Sequence, residues 1–515
     1  MAFRKVFLLL SLCIITSHGA LRFANYFQDN MVLQRAPQRA VVWGYGDTNA
    51  LTTLSLNNKI YHTISRSEPA NKLGDSIWSV TLDPETEEGP FEVIVTQPVA
   101  NGSVVSIALN NVLYGDVWIC SGQSNMQMAV IDSFNAATEI ANAVNYPKVR
   151  LFTASLRDSG TPTEELLQIT QNWSVGGPSS VGGPSYQYAS ATCWYFGRMI
   201  HTALNNRPIG LIASSWGGTA IELWMPPPAL SDCGVFRQKI PLQPYGQPNF
   251  EEKVLRNSQL YNSMIHPFTR MVITGAIWYQ GESNAYSNRD KYSCMQAKMI
   301  QYWRQIWSTR TGGLTDPNFP FGFVQLSTDD RSGTTVGGFP WIRWHQTFDV
   351  GYVPNSVVPN VFMAAAMDLR DDDGGIHPRT KEDVGYRLSR AGLAVWYKQN
   401  VEFLGPIVSS VAVASDSASI DITYSNVTAI ELRNTAGFEV CCQGASCSND
   451  NLWVPAPASS KNSLSITLTI PDSCVSQKIY GLRYLWRETP CPLKQAAVYS
   501  STDSNLPSPP YIKIF

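Results

Sequence analysis

Apolar and polar residues alternate with a period of two through the first part of the chain, in short runs separated by turn residues. "RAVVWGYG", "ALTTLSLNNKIYHTIS", "SIWSVTLD", "FEVIVTQ" and "SVVSIALNNVLYG" carry no helical period. They predict a small β domain over residues 20–110. From Gly115 the texture changes. Apolar stretches such as "VWICSG", "IGLIASSWGG", "MVITGAIWYQGES", "FGFVQLS" and "VFMAAAMDL" take turns with amphipathic ones such as "YASATCWYFGRMIHTALN", "KYSCMQAKMIQYWRQIW" and "KEDVGYRLSRAGLAVWY". Strand and helix in turn predict an α/β domain over 111–400, with a mostly parallel sheet covered on both faces. After about residue 401 the helices stop, and "IVSSVAVASDSASIDITYSNVTAIELRN" and "SLSITLTIPD" predict a second β domain over 401–515.

A chain of 515 residues holds two or three domains and at least one large core. Charged residues make up 15%, and 38 basic side chains stand against 40 acidic ones, a net charge of -2. With no basic block, the charge pattern argues against nucleic acid and anionic membranes as partners, and a neutral or weakly charged ligand fits better. Arg4 and Lys5 precede a short apolar core, Val6 to Ile15, and Ser17 and Gly19 are the small residues of a cleavage site before Ala20. Residues 1–19 are therefore expected to be a signal peptide. The apolar run is too short for a membrane span, which takes about 20 residues, and no later stretch resembles one. The address is the secretory pathway, with lysosome and secretion both open. Three sequons agree, and Asn101, Asn172 and Asn426 are expected to carry glycans.

Apart from Cys13 in the leader, nine cysteines remain, five of them after residue 440. An oxidising compartment predicts disulfides, above all in that cluster. "CCQGASC" has neither a CxxC pair nor a neighbouring histidine, which argues against zinc. The odd count leaves a thiol unpaired. Cys120, at the end of an apolar strand, is expected to be that thiol, buried as a small hydrophobe.

Ligands of parallel sheets sit at the carboxyl ends of the strands. Four such ends carry polar or glycine residues: Gly122-Gln123-Ser124-Asn125, Trp216-Gly217-Gly218-Thr219, Gln280-Gly281-Glu282-Ser283-Asn284, and "MDLRDDDGGIHP" with His377. A hydroxyl, bare backbone, amides and an imidazole beside carboxylates are the parts of a serine hydrolase. Each part alone has a plainer reading. A serine after a strand caps helices more often than it attacks esters, and paired glycines ease turns. Of the five histidines outside the leader, His62, His201, His266 and His345 sit in a β region or in helical stretches, where structural roles prevail. His377 alone lies beyond a strand end beside a run of aspartates.

"GDVWICSGQSNMQM", "SWGGTAIELWMP", "WYQGESNA" and "IHPRTKEDVGYRL" closely resemble the sialate O-acetylesterase family, within the SGNH hydrolase superfamily. "NYFQDNMVLQRAPQRAVVWGYG" and "LPSPPYIKIF" extend the resemblance over nearly all of the chain. The resemblance implies an SGNH-type, flavodoxin-like three-layer core with sandwich-like β regions at both ends. It implies Ser124 as nucleophile, His377 as general base, and Gly217 or Gly218 as backbone donor to the oxyanion. The third block departs from the superfamily's Gly-x-Asn-Asp, so either Gln280 or Asn284 is the amide donor, with Gln280 favoured. The superfamily's aspartate position, three before the histidine, is Gly374; Asp373 is the acid chosen by proximity, with Asp368, Asp371 and Asp372 as alternatives. The implied reaction is hydrolysis of O-acetyl esters of sialic acids on glycoconjugates, mainly at the 9-position, with no metal or organic cofactor. Two rivals stay open: an acetylesterase for another acetylated carbohydrate, and a secreted carbohydrate-binding protein on a decayed core. Oligomeric state and disulfide connectivity are not legible.

Overall fold

The structure is a computed structural model that describes residues 21–515 apart from 69–75, 100–101, 237, 243–252, 330–332, 416–417, 443 and 445. Residues 1–19, expected to be a signal peptide, and Asn101 lie outside the described residues.

Seven strands build the central sheet: β1 (Val104–Gly122), β2 (Val149–Ala154), β3 (Ile169–Val175), β4 (Ile209–Ser215), β5 (Gly275–Tyr279), β6 (Phe321–Gln325) and β7 (Val361–Ala365). They lie in the order β3-β2-β4-β1-β5-β6-β7, and only the edge strand β3 runs antiparallel to its neighbour. Strands β4 to β7 are buried from end to end, as parallel strands must be when helices cover both faces. The covering helices are α2 (Ala191–Ala203), α3 (Tyr292–Arg310) and α4 (Lys381–Val395), while the short α1 (Ser124–Gln127) follows β1 directly. Trp118 of β1 meets Phe196 of α2 edge-on at 5.0 Å, and Trp278 of β5 meets Trp303 of α3 at 5.9 Å. Alternation along the strands thus divides the large aromatics between two helical layers.

In chain order the parallel strands read 2-3-1-4-5-6 across the sheet, not the 2-1-3-4-5 of a flavodoxin-like fold. Chain order cannot say which strand fills the slot beside β1, because either neighbour buries the same apolar faces.

β1 is one strand of 19 residues. It pairs first with Phe91–Pro98, then with Val32–Gln34, and over Asp116–Gly122 with β4. The change of texture near residue 110 therefore falls inside a strand, and the N-terminal β region shares one apolar cluster with the central sheet.

After α4 come two four-stranded antiparallel sheets, Ile407–Val413 with Ser419–Ser425, Ser465–Thr469 and Ala458–Lys461, and Trp453–Pro455 with Phe438–Cys441, Gly481–Tyr484 and Tyr511–Ile514. Their inward residues, among them Ile420, Ile422, Val440, Leu468 and Leu482, form a second core that includes Ala365 and Met367 from the end of β7. Arg387 of α4 holds Asp368 through two hydrogen bonds of 2.6 and 2.9 Å, and Tyr499 donates to the same carboxylate at 2.6 Å. Asn172 and Asn426 are exposed.

Four disulfides join Cys120 to Cys193, Cys233 to Cys294, Cys441 to Cys447 and Cys442 to Cys474. Cys120 is buried, as expected, but it is not free; among the described residues the unpaired cysteine is Cys491. Burial of a strand residue says nothing about its partner. Only the packing of α2 on β1 brings Cys193, 73 residues away, to a Cα separation of 5.8 Å.

Candidate active site

β1 ends at Gly122, whose φ of +141 is rarely open to a side chain. A Cβ there would lie 2.1 Å from the Tyr279 carbonyl oxygen, so only glycine lets β1 close on β5. Gln123 N–H donates to that oxygen at 2.9 Å, and Trp216 N–H donates to Gly122 O at 3.1 Å, drawing the ends of β5 and β4 together. Ser124 then opens α1. The N-cap position belongs to Gln123, so the capping role is not taken by Ser124. Ser124 is 0% exposed, and its Oγ has no hydrogen-bond partner among the described residues.

His377 lies on the loop between β7 and α4, its N–H donating to Gly374 O at 2.9 Å. Asn125 Nδ2 donates to Ile376 O at 2.9 Å, which ties this loop to the residue after Ser124. His377 Nε2 is buried without a partner among the described residues, and the Tyr186 ring stands edge-on to the imidazole at 5.8 Å. Burial, aided by the Lys381 ammonium, lowers the imidazole pKa to about 3, so the ring is neutral and able to accept a proton. The other four histidines have structural partners: Thr53 for His62, the Arg207 carbonyl for His201, the Thr163 carbonyl for His266 and Asp349 for His345.

Beneath the pair runs a buried chain that the motifs did not reveal. Lys381 Nζ donates to Asn125 Oδ1 at 2.7 Å and to Pro378 O at 2.6 Å, and Asn125 Nδ2 donates to Glu282 Oε1 at 2.6 Å. Burial lowers Lys381 to about 7 and raises Glu282 to about 7, each opposed by the other's charge. Asn125 thus fixes the Ser124 turn to both the His377 loop and the end of β5. The only signal in sequence was adjacency to the motif residues, and nothing there pairs a lysine with a glutamate 99 positions away.

Several expected residues are placed otherwise. Gln280 Nε2 donates to Thr219 O and to Asn284 Oδ1, while its Oε1 accepts from Tyr292. Asn284 Nδ2 donates to Glu222 and to Ser287 O, and its Oδ1 also accepts from Ile221 N. Both amides are spent on bracing the third block and do not serve as free oxyanion donors. Gly217 N–H donates to Gln127 Oε1 at 2.7 Å, and Gly218 turns the chain with φ +70. Asp373 does not reach the imidazole: its side chain is 83% exposed and pairs with Arg379 at 3.2 Å. Asp371, held well below the usual carboxylate range by its hydrogen bonds from Arg379 against the opposing effect of burial, accepts from Arg379 N, Nε and Nη2 and braces the loop. Asp368 is the buried partner of Arg387 and Tyr499, and Asp372 is exposed. Short side chains on one loop were captured by the nearest cations, which spacing cannot foretell.

Residues 114–393, the span that carries Ser124, His377 and the buried chain of Asn125, Lys381 and Glu282, match the family described as "Carbohydrate esterase, sialic acid-specific acetylesterase". The chain belongs to that family. Residues 409–515 match the "Sialate O-acetylesterase C-terminal domain". Curated relatives named "Sialate O-acetylesterase" include those of Mus musculus, 40% identical with 95% of this chain and 94% of the relative covered, and Homo sapiens, 40% identical with 95% and 92% covered. Among solved structures, a carbohydrate acetylesterase from Xanthomonas citri is similar with a TM-score of 0.75 and 25% identity, covering 96% of this chain and 99% of the other. This member of the carbohydrate esterases is an enzyme, and its four disulfides fit an oxidising compartment. No helix among the described residues is long and apolar enough to cross a membrane.

Proposed function

We propose that the protein hydrolyses O-acetyl esters of sialic acids on glycoconjugates, the 9-O-acetyl ester among them, with Ser124 as nucleophile and His377 as general base. The observation that carries the reading is the pair of buried, unpartnered atoms Ser124 Oγ and His377 Nε2 at the carboxyl end of the sheet. Other buried groups lack partners too, but these two are brought to one place by Asn125, whose Nδ2 donates to Ile376 O at 2.9 Å. Their places beyond the carboxyl ends of β1 and β7 support an SGNH-type core, with the β regions at either end as sandwich-like accessories.

His377 Nε2 takes the Ser124 proton as Oγ bonds to the acetyl carbon. The carbonyl oxygen gains negative charge, with Ser124 N–H and a glycine N–H of Gly217-Gly218 as proposed donors; Gly217 serves only by releasing Gln127. A single well-placed donor contributes about 3 kcal/mol. The bond to the sugar oxygen then breaks, and the imidazolium returns its proton to that oxygen. Water repeats the sequence on acetyl-serine and frees acetate. Asn125 and Asp371 position the serine turn and the histidine loop.

Mass spectrometry of 9-O-acetylated sialosides and acetylated plant sugars after incubation tests this. Acetate lost from the sialoside with the wild type and retained with Ser124→Ala is the expected result. Turnover of the neutral sugars alone would replace it with the second reading, which the carbohydrate acetylesterase of Xanthomonas citri favours. No turnover even of p-nitrophenyl acetate would leave the carbohydrate-binding reading.

A further inference from the structure

A cavity of about 360 Å3 opens beside the catalytic pair, at the carboxyl ends of β2 and β4. Three of its walls belong to the site's own framework. Gln127 ends the turn that Ser124 begins, Trp216 is hydrogen-bonded to Gly122, and Tyr186 has its ring against His377. Tyr186 lies between the cavity and the imidazole at the left-handed φ of +55. Ser124 is itself buried and does not line the cavity.

The lining has a definite charge. Arg157 and Lys253 face the cavity, and no described lining residue is an aspartate or glutamate. Arg157 Nε donates to Gln168 Oε1 at 2.8 Å, and its two terminal amino groups have no partner among the described residues. Lys253 pairs with Asp158 and lies 5.1 Å over the Trp216 ring. A guanidinium with its fork unfilled matches a carboxylate, and an indole face suits the apolar side of a sugar ring. The volume falls in the range of small-ligand sites.

We propose that this cavity is an acid-sugar subsite, in which Arg157, with Lys253 as a second cation, receives the carboxylate of sialic acid while the glycerol side chain points past Tyr186 to Ser124. The inference rests on the proposed sialate reading and adds to it the means of telling an acidic sugar from a neutral one.

The test compares 9-O-acetyl-N-acetylneuraminic acid with its carboxyl methyl ester, measuring acetate release. The wild type is expected to favour the free acid by about tenfold or more in kcat/KM, mostly through KM. Arg157→Ala should bring the ratio near one, and Arg157→Lys should restore part of it. Arg157 is exposed and makes one side-chain bond, so the fold should survive, with circular dichroism as the check. Equal turnover of acid and ester by the wild type, or an unchanged ratio in Arg157→Ala, overturns the subsite while leaving the sialate reading intact. A wild type that ignores both compounds yet deacetylates neutral sugars overturns the sialate reading, and the subsite with it.

Discussion

Ser124 and His377 share their lack of a partner with other buried groups, Ser121 and Ser283 among them; what sets them apart is that Asn125, next to Ser124, holds the carbonyl next to His377. Ser124→Ala and His377→Ala should each lower ester hydrolysis by roughly 10^3-fold or more with the fold intact, and the double variant should be little worse than either. Assays on p-nitrophenyl acetate with circular dichroism check this. Asp373→Asn should change kcat/KM less than about threefold, because an exposed carboxylate paired only with Arg379 contributes little. Asp371→Asn should cost more, since it removes charge from the brace of the His377 loop. The pH profile reports the imidazole: protonation disables the base, so with a pKa near 3 the acid limb of kcat/KM lies well below the ordinary histidine value of 6.5. Lys381→Met removes a positive neighbour, so the imidazole pKa should rise and the limb move to higher pH; an unmoved limb would show that the lysine charge is not felt there. At this scale the proposed nucleophile and base were legible as candidates because their motifs surround them. Asn125, Lys381 and Glu282 were not, because a buried hydrogen-bond chain leaves no period in sequence.

The elements that hold these residues were largely legible from apolar periodicity. β4, β5, β6 and β7 fall where unbroken apolar runs predict buried strands, and α2, α3 and α4 where amphipathic runs predict helices. How the elements are fastened was not legible. Cys120 was misassigned because a strand pattern shows depth and not which helix lies above it. The Cys120–Cys193 bridge ties the strand that carries Ser124 to α2. Replacing both cysteines with alanine should lower unfolding free energy by about 2–5 kcal/mol in chemical denaturation. Thiol labelling under denaturing, non-reducing conditions should mark Cys491 and leave Cys120 unlabelled.

Across the whole molecule, the catalytic sheet and the C-terminal β region are joined by buried charge. Arg387 and Asp368 are almost fully buried and meet Tyr499, while the buried Arg343 donates to the carbonyls of Arg487 and Glu488. Asp368→Ala would strand the Arg387 guanidinium, and a cost of about 3–5 kcal/mol is expected, read as a lower denaturation midpoint. The loss should appear in the fold before it appears in kcat, which separates Asp368 from a catalytic acid. At the other end, one continuous β1 carries the N-terminal region into the sheet, so no loop marks the junction near residue 110.

Sequence by itself determined the strands and helices, the carboxyl-end placement of the hydroxyl, glycines and imidazole, and the family. These are local properties, set by periodicity, by glycine's access to positive φ and by contiguous motifs. Only the tertiary structure decided the strand order, the Cys120–Cys193 pairing, the capture of Asp373 and Asp371 by Arg379, the internal use of Gln280 and Asn284, and the cationic cavity beside Tyr186. Each of these depends on which groups far apart in the chain come within bonding distance, and the strength of a contact is fixed by that distance and by burial, neither of which is written in residue order.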